Sequence, residues 1–294
     1  SRLASGESGI VIGTHALLED RVMFADLGLV VVDEQHRFGV EQRAALTDKS
    51  VIPPHVLVMT ATPIPRTVAM TVFGDLETSV LTELPAGRAP IQTNVVNLLE
   101  NPHWVDRVWA RVREEAAAGH QAYVVCPRIK GDELEQGELD QLELDEDGLP
   151  IPPEESRPPL AAVEEVVVEL SLGPLSGLRV AQLHGRMSPD EKDATMRAFA
   201  AGEIDVLVST TVIEVGVDVA NATAMVLLDA DRFGVSQLHQ LRGRVGRGGH
   251  PGLCLLVTHA TYDAPALERL GAVAATTDGF ELSRVDLELR REGD

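Results

Sequence analysis

The sequence predicts an α/β fold in which helices cover parallel β-sheets on both faces. Short apolar runs rich in Val alternate along the chain with stretches of helical periodicity, which is typical of βαβ units. These runs are nearly continuous and lack the polar alternation of a sheet with one face in water. Aromatic residues make up only 3% of the chain, so aliphatic side chains must build the core.

The apolar runs fall into two groups, separated by the Pro- and Gly-containing segment LPAGRAP at 84–90. The first group predicts an incomplete unit at 1–88, because it offers few strands and starts without a preceding element. Its predicted elements are the strands 9–13, 28–33 and 56–61 and the helices 40–46 and 65–73.

The second group predicts a complete parallel sheet at 89–260, and the helical tail 261–294 follows it. Right-handed crossovers are expected between its strands. The predicted strands are 91–96, 121–126, 178–183, 204–210, 224–230 and 252–258, with a helix at 160–170.

Helix boundaries in the second unit follow from capping residues. Asn101 and Pro102 predict a helix start, with Asn as the cap and Pro at the first helical position. Ser188 and Glu191 have the spacing of a capping box, again with a proline between them. Gly202 predicts the end of that second helix.

The net charge of −21 is partly local. Residues 131–159 hold eleven Asp or Glu and one Arg, and this acidic, Pro-rich composition predicts a disordered insertion. An interaction tail is the alternative interpretation of the same segment. The total charge therefore does not indicate a basic partner.

Cysteine content and hydropathy exclude several protein classes. Cys126 and Cys254 lie far apart in apolar runs, which predicts two buried thiols and excludes a disulfide scaffold or a Cys-based zinc site. No apolar run reaches the roughly 18–20 residues of a membrane span. The first residues contain no signal-peptide core, so we expect a cytoplasmic chain.

Carboxylate and hydroxyl side chains follow two predicted strands of the first unit. Asp33 and Glu34 come directly after GLVVV, and Thr60 and Thr62 follow the next strand. Open α/β sheets bind ligands at this end of their strands, where an Asp can hold Mg²⁺ and a Glu can orient water. A surface loop and a Ser/Thr turn remain alternative interpretations.

Three arginines with interleaved glycines occupy the segment QLHQLRGRVGRG at 237–248. Arg244 and Arg247 would share one face if this segment is helical, and their guanidinium groups suit the spread charge of a phosphoryl-transfer transition state. Gly243 and Gly246 would let the backbone approach another group closely, and glycine is a poor residue for a purely structural helix. A basic nucleic-acid patch is the alternative.

Two further strand ends carry polar residues. Thr210 and Thr211 could contact nucleic-acid phosphate, and Asp218 could accept a hydrogen bond from a ribose hydroxyl. A capped helix after a core strand would explain the same residues. His184 is compatible with a structural role, but Arg186 beside it makes a phosphate contact reasonable.

No phosphate-binding loop of the form G-x-x-x-x-G-K-[ST] occurs in the sequence. The chain has three lysines, at 49, 130 and 192, and none follows Gly. Because such a loop cradles phosphates with its backbone amides, we expect either a dead ATP site or a chain that begins downstream of the loop.

Together these strings resemble the motifs of the RecG family, bacterial ATP-dependent DNA helicases of superfamily 2. The tail DGFELSRVDLELR (278–290) also resembles the translocation motif of that family. The six motif-like strings are GTHALL (13–18), DEQHRFGVEQR (33–43), MTATPIPRT (59–67), LHGRM (183–187), STTVIEVGVDV (209–219) and QLHQLRGRVGRG (237–248).

The resemblance implies RecA-like lobes that bind ATP between them: a truncated lobe 1 at 1–88, a complete lobe 2 at 89–260 and a coupling segment at 261–294. It implies ATP and Mg²⁺ as cofactors and branched duplex DNA as partner, with remodelling of stalled forks and Holliday junctions in the bacterial cytoplasm, in association with the nucleoid. A wedge domain and the phosphate loop would lie upstream, so the isolated chain should lack ATPase activity.

The resemblance also assigns roles to individual residues. It assigns catalytic roles to Asp33, Glu34, Arg244 and Arg247, and it makes Asp33 a ligand of the metal. Further nucleotide contacts fall to His36, Gly216, Asp218 and Gln240. DNA binding or coupling falls to Thr14, His15, Thr60, Thr62, His184, Arg186, Thr210, Thr211 and Arg290.

Two alternatives remain beside this assignment. The transcription-repair coupling translocases share several motifs, but they usually show DEEH where this chain has DEQH, and GDLETSVLTELPAGR (74–88) looks more like the RecG family. A non-enzymatic adaptor would be free to lose Glu34 and the arginines, which this chain keeps.

The sequence departs from the family pattern in two places. The ending DLELRREGD stands where relatives often show a Gly-Pro-Gly turn, and the acidic insertion at 131–159 is the second departure.

Overall fold

A computed structural model describes two units, Ser1–Pro63 and Ile64–Asp294. None of the described helices is both long and apolar enough to cross a membrane. The predicted helices 40–46 and 65–73 and residues 84–88 of the linker lie outside the described part, so the boundary near 88 stays a prediction. The described residues are 9–14, 17, 22–33, 53–60, 79, 81, 89–130, 133–134, 161–211, 218–261 and 264–291.

In the described part of the first unit, two parallel strands pair in register. Strand β1 (Leu29–Val32) lies beside β2 (His55–Val58), with Val32 opposite Val58. The N–H of Met59 extends the ladder by donating to the carbonyl of Val32 at 2.8 Å. Two of the three predicted strands of this unit are therefore confirmed.

Two predictions for this unit are wrong. Residues 9–13 form no strand, and Ile10 and Ile12 are almost fully exposed. An apolar run becomes a strand only where a neighbour pairs its backbone groups, and no described strand pairs with this run. One face of the β1–β2 pair is also half exposed, at Leu29 and Val31, so this pair is not buried on both faces as predicted.

The second unit contains a six-stranded parallel sheet with the strand order β3-β10-β9-β4-β8-β7. All six predicted strands are confirmed, although β9 starts two residues earlier and ends three residues earlier than predicted. The strands are β3 (Ile91–Asn97), β4 (Gln121–Val125), β7 (Val180–Leu183), β8 (Val206–Ser209), β9 (Ala222–Leu227) and β10 (Gly252–Thr258).

A short antiparallel pair precedes the helix that returns to this sheet. Strand β5 (Arg128–Lys130) pairs with β6 (Glu133–Leu134). The prediction of disorder over 131–159 is therefore wrong at Glu133–Leu134, which pair with β5 as a strand. Residues 135–159 lie outside the described part.

Four of the described helices lie between strands of the second unit, and two follow its last strand. They are α1 (Trp104–Ala117), α2 (Val163–Leu172), α3 (Pro189–Ala200), α4 (Val235–Arg242), α5 (Pro265–Ala275) and α6 (Gly279–Arg291), with a 3₁₀ turn at Ala230–Arg232. The predicted helical tail is thus confirmed as α5 and α6.

Capping explains one helix boundary and not the other. The capping box of Ser188 and Glu191 is formed at the start of α3, and Gly202 adopts φ = +76° after its end. Helix α1 instead starts at Trp104 without a side-chain cap. The predicted start at Pro102 is wrong because residues 102–103 form a turn, in which the carbonyl of Asn101 accepts from the N–H of Trp104 at 3.0 Å.

The core of the second unit occupies both faces of the sheet, as predicted. Alternate residues of one strand point to opposite faces, so Tyr123 and Val124 of β4 belong to different apolar clusters. One cluster includes Leu238 from α4, and the other includes Val108 from α1.

Both cysteines are fully buried in this core, as predicted. Burial raises the pKa of the Cys254 thiol to about 12, and it raises the pKa of Cys126 well above its ordinary value. Both thiols are therefore neutral packing groups at neutral pH.

Candidate functional site

Two predicted site residues of the first unit lie at the carboxyl edge of its strand pair. Asp33 follows β1 directly, and Thr60 lies two residues after β2. The Asp33 side chain is exposed, and a carboxylate oxygen is a ligand type that Mg²⁺ accepts. Asp33 thus fits the metal role that the resemblance assigns.

Of the remaining predicted site residues of this unit, the structure describes only Thr14. The main-chain carbonyl of Thr14 accepts from the N–H of Leu17 at 3.0 Å, in a single turn. Four predicted residues lie outside the described part, namely His15, Glu34, His36 and Thr62.

In the second unit, residues 243–249 form an arginine loop that follows α4. Helix α4 ends at Arg242, and the N–H of Arg244 donates to the carbonyl of Leu241 at 2.9 Å in a turn. The segment is not helical at Arg244 and Arg247, so the condition under which these two arginines would share a helix face is not met. Gly243 ends the helix, and Gly246 adopts φ = +74°, a conformation that glycine permits.

Arg247 is held by two contacts within this unit. Its guanidinium lies 3.3 Å from a carboxylate oxygen of Asp218, and its Nε donates to the carbonyl of Gly243 at 2.7 Å. The ion pair is partly exposed, with a third of the Arg247 side chain and more than half of the Asp218 side chain in solvent. The structure thus brings together an arginine predicted to bind phosphate and an acid predicted to bind ribose.

Arg244 belongs to the same charged group. Burial raises the pKa of Tyr123 to about 12, while the positive charges of Arg244 and Arg247 oppose this rise and the Asp218 carboxylate adds to it. The charges of all three groups therefore act on the same buried phenol. Gln240 lies half-buried on α4, one turn before Arg244.

Close backbone packing fixes the position of the arginine loop. A Cβ on Gly246 would lie 3.0 Å from Cγ1 of Ile91, at the start of β3. A Cβ on Gly248 would lie 2.2 Å from the carbonyl oxygen of Ala220, just before β9. The loop therefore lies at the amino edge of the six-stranded sheet.

Four of the predicted DNA-contacting residues, His184, Arg186, Thr210 and Thr211, follow strands at the opposite, carboxyl edge. His184 follows β7 and Thr210 follows β8, where the N–H of Thr210 donates to the carbonyl of Leu183 at 3.3 Å. His184 is 6% exposed, and its Nδ1 has no hydrogen-bond partner within the described part. Thr211 is half-buried, and Arg186 is exposed.

The length of the strands separates the two groups. Strand β8 has four residues and β10 has seven, which corresponds to roughly 13–23 Å at about 3.3 Å per residue. Gly216 and the side chain of Arg290 lie outside the described part. The second unit therefore carries two candidate sites, one at each edge of its sheet.

Two residues were missed by the sequence interpretation. Lys192 donates from Nζ to the carbonyl of Gly185 at 2.8 Å and holds the loop between His184 and Arg186 against α3. Arg242, which the sequence grouped with the other two arginines, is instead buried. Its position four residues after Leu238, on the buried face of α4, is the signal that could have separated it.

Comparison with known proteins agrees with this architecture. Residues 1–71 match the DEAD/DEAH box helicase family, and residues 160–249 match the helicase conserved C-terminal domain. The ATP-dependent DNA helicase RecG of Mycobacterium bovis is 58% identical over 296 residues, and that of Bacillus subtilis is 47% identical over 298 residues. These matches cover 100% of this chain but only 38% and 39% of the two relatives.

Solved structures show the same fold. A RecG bound to a three-way DNA junction is 39% identical, with a TM-score of 0.67, over 97% of this chain and 33% of that one. The helicase Lhr of Mycobacterium smegmatis, bound to single-stranded DNA and AMP-PNP, has a TM-score of 0.55 at 16% identity, over 85% of this chain and 31% of that one, and shows the fold alone. In sequence and in its RecA-like α/β fold, this chain therefore belongs with the RecG-like superfamily 2 helicases.

Proposed function

We propose that this chain is the motor part of an ATP-dependent DNA helicase that moves along duplex DNA and remodels branched substrates. Stalled replication forks and Holliday junctions are the proposed substrates, in the bacterial cytoplasm at the nucleoid. The observation that carries the proposal is the placement of arginines at one edge of the six-stranded sheet and of DNA-binding residue types at the other. Similarity along the whole chain to RecG, one of which is solved on a three-way junction, supports it.

The amino edge of the sheet is the proposed phosphate-contacting edge. Arg244 and Arg247 would stabilise the charge that develops on the transferred phosphoryl group. Asp218, which pairs with Arg247 in this structure, would turn to a ribose hydroxyl, and Gln240 would contribute a further contact.

The first unit would supply the metal-binding and water-orienting residues. Asp33 would hold Mg²⁺ through its exposed carboxylate, and the metal would neutralise phosphate charge. Glu34 would orient the attacking water. The boundaries at 88 and 260 are part of this proposal.

The carboxyl edge is the proposed DNA-contacting edge. Arg186 offers an exposed guanidinium and Thr211 a half-buried hydroxyl, which are groups that contact nucleic-acid phosphates. His184 and Thr210 are buried in this structure, so a change of conformation would have to expose them before they could join this contact. Because such contacts carry no sequence information, binding should show little sequence preference and should weaken as salt rises.

DNA-stimulated ATP hydrolysis by the full-length protein tests the proposal. We expect Arg247→Ala to remove most hydrolysis and to leave ATP binding nearly unchanged, because the arginine acts on charge that develops in the transition state. Arg197→Ala is the control, since Arg197 is exposed and pairs with Asp193 on α3. Hydrolysis at the wild-type rate by the Arg247 variant would contradict the proposed role.

The isolated 294-residue chain should not hydrolyse ATP, because no Gly-Lys sequence is present to cradle the β- and γ-phosphates. The ATP hydrolysis assay, run on this chain with and without duplex DNA, tests this expectation. DNA-stimulated hydrolysis that Glu34→Gln abolishes would overturn this expectation.

A further inference from the structure

Arg242 is an arginine in the interior of the second unit. The residue is 2% exposed and is among the largest of the fully buried side chains in the described part of the chain. A guanidinium cannot lose its charge in a protein, and burying it is costly unless its donors are satisfied. The surroundings of Arg242 must therefore compensate for this cost.

The compensation comes from the end of α5. The Nη1 group of Arg242 donates to the carbonyls of Val273 and Thr276, the latter at 2.9 Å. These carbonyls belong to the last turn and the C-cap of α5, where helices leave carbonyls without internal partners and carry partial negative charge. The arginine of one helix thus caps the carboxyl end of another.

A further contact extends this arrangement back into α4. Nη2 of Arg242 lies 3.0 Å from Nδ1 of His239. Because a guanidinium can only donate, Nδ1 must accept and the imidazole must be neutral. Gly243 is the first residue of the arginine loop, and its N–H donates to the carbonyl of His239 at 3.0 Å.

We propose that Arg242 is a positioning residue for Arg244 and Arg247. It fixes the carboxyl end of α4 to the carboxyl end of α5, and the arginine loop leaves α4 at that point. This inference rests on the proposed function, because it gives the loop its role in phosphate chemistry. Arg242 itself does not contact the nucleotide.

The chemistry of the residue favours positioning over packing alone. An apolar side chain of similar length would fill the same space without the desolvation cost of a charge. A planar guanidinium, in contrast, donates in fixed directions and so defines the angle between the two helix ends. Fixed geometry is what phosphoryl transfer requires, since a misplacement of about 1 Å can cost about a hundredfold in rate.

The test compares Arg242→Met with Arg242→Lys in the full-length protein. For the Met variant we expect kcat for DNA-stimulated ATP hydrolysis to fall about tenfold to a hundredfold, with KM for ATP within about twofold. Lys keeps the charge and one or two of the donors, so its kcat should lie between those of the wild type and the Met variant. Rates are normalised to the folded fraction measured by thermal unfolding at the assay temperature.

Arg113→Met is the matched control. Arg113 also donates to two main-chain carbonyls, those of Pro174 and Ser176, but it is exposed and lies on α1. Its kcat should match the wild type. A merely structural role for Arg242 would lower the thermal midpoint but leave kcat per folded molecule unchanged in the Met and Lys variants.

An unchanged kcat per folded molecule in both Arg242 variants would overturn the inference. If the Met variant does not fold, the Lys variant decides, and a wild-type kcat in that variant has the same consequence. Failure of the proposed function would be recognised separately, because the wild-type protein itself would then show no DNA-stimulated hydrolysis.

Discussion

Gly248 lies where the arginine loop passes closest to another stretch of backbone. A Cβ at this position would lie 2.2 Å from the carbonyl oxygen of Ala220, so Gly248→Ala must move the loop away from the segment that carries Asp218. We expect a loss of about 1–3 kcal/mol in the free energy of unfolding. We also expect lower ATP hydrolysis, because Arg247 moves with the loop. Urea unfolding and the ATPase assay measure the two effects.

Gly271 provides the control for the same substitution. It lies inside α5, and a Cβ there would meet nothing within 4 Å. Gly271→Ala should therefore stabilise the chain by about 0.5–1 kcal/mol through helix propensity. Equal destabilisation by both alanines would show that the contact with Ala220 does not limit position 248.

Glu115 at the end of α1 predicts a pH dependence of stability. Partial burial raises its pKa, but hydrogen bonds from Thr223 and His120 and the charge of Arg111 together outweigh burial and lower the pKa below 4.5. Because the pKa of Glu115 is lower in the folded than in the unfolded state, its ionised carboxylate stabilises the fold at pH values above the unfolded-state pKa. This stabilisation is lost as the pH falls through the lowered folded-state pKa.

Glu115→Gln isolates this contribution. We expect a loss of about 1–3 kcal/mol at pH 7, because Thr223 is buried and loses a charged acceptor. The difference from the wild type should shrink below about pH 4.5, in urea unfolding measured from pH 7 to pH 3.5. Glu114→Gln is the control on the exposed side of α1 and should change stability less. A difference that grows at low pH would contradict the assignment.

At the scale of elements, the capping box of α3 gives a prediction about local stability. The Ser188 hydroxyl accepts from the N–H of Glu191, and the Glu191 carboxylate accepts from the N–H of Ser188 at 2.8 Å. Ser188→Ala should cost about 1 kcal/mol, because the N–H of Glu191 loses its acceptor and the Glu191 carboxylate loses the hydrogen bond that the Ser188 hydroxyl donates. The loss should be largest in the first turn of α3, where amide hydrogen exchange should accelerate.

The control for this change lies outside any cap. The main-chain carbonyl of Ser176, rather than its hydroxyl, takes part in the contact with Arg113, so Ser176→Ala should leave exchange in α3 unchanged. Slower or unchanged exchange at the start of α3 in Ser188→Ala would refute the capping prediction.

Elements whose signal is local were predictable, and elements that depend on distant partners were not. The strands of the second sheet follow from continuous apolar runs, and α3 from its own cap residues. The run 9–13 has the same composition, but no described neighbour pairs with it. Helix α4 was not predicted, and the spacing of Arg244 and Arg247 could not show that Gly243 ends this helix just before them.

The same distinction holds within the candidate sites. Sequence motifs identified Arg247 and Asp218 as separate candidates. Their ion pair depends on the packing of the arginine loop against the segment that precedes β9. Arg242 was grouped with its neighbours because its burial depends on α5, which lies about thirty residues later in the chain. Local strings identify the chemistry, and the fold decides which groups meet.

At the scale of the whole second unit, the two edges of the sheet should be separable by mutation. Arg244→Ala changes only the amino edge, so hydrolysis should fall while the affinity for duplex DNA and its salt dependence stay unchanged. Arg186→Ala changes only the carboxyl edge, so DNA affinity should fall. Its slope of log affinity against log salt should decrease by about 0.9, as expected for one lost phosphate contact.

Measurements of DNA binding at several salt concentrations and of ATP binding by both variants check this pattern. ATP affinity of the Arg186 variant should equal that of the wild type, because a strand length of roughly 13–23 Å separates the edges. Arg197→Ala removes the same charge from α3 without touching the loop and should leave the slope nearly unchanged. If Arg244→Ala lowered the salt slope as much as Arg186→Ala did, both edges would bind DNA, and the division of labour within the sheet would be wrong.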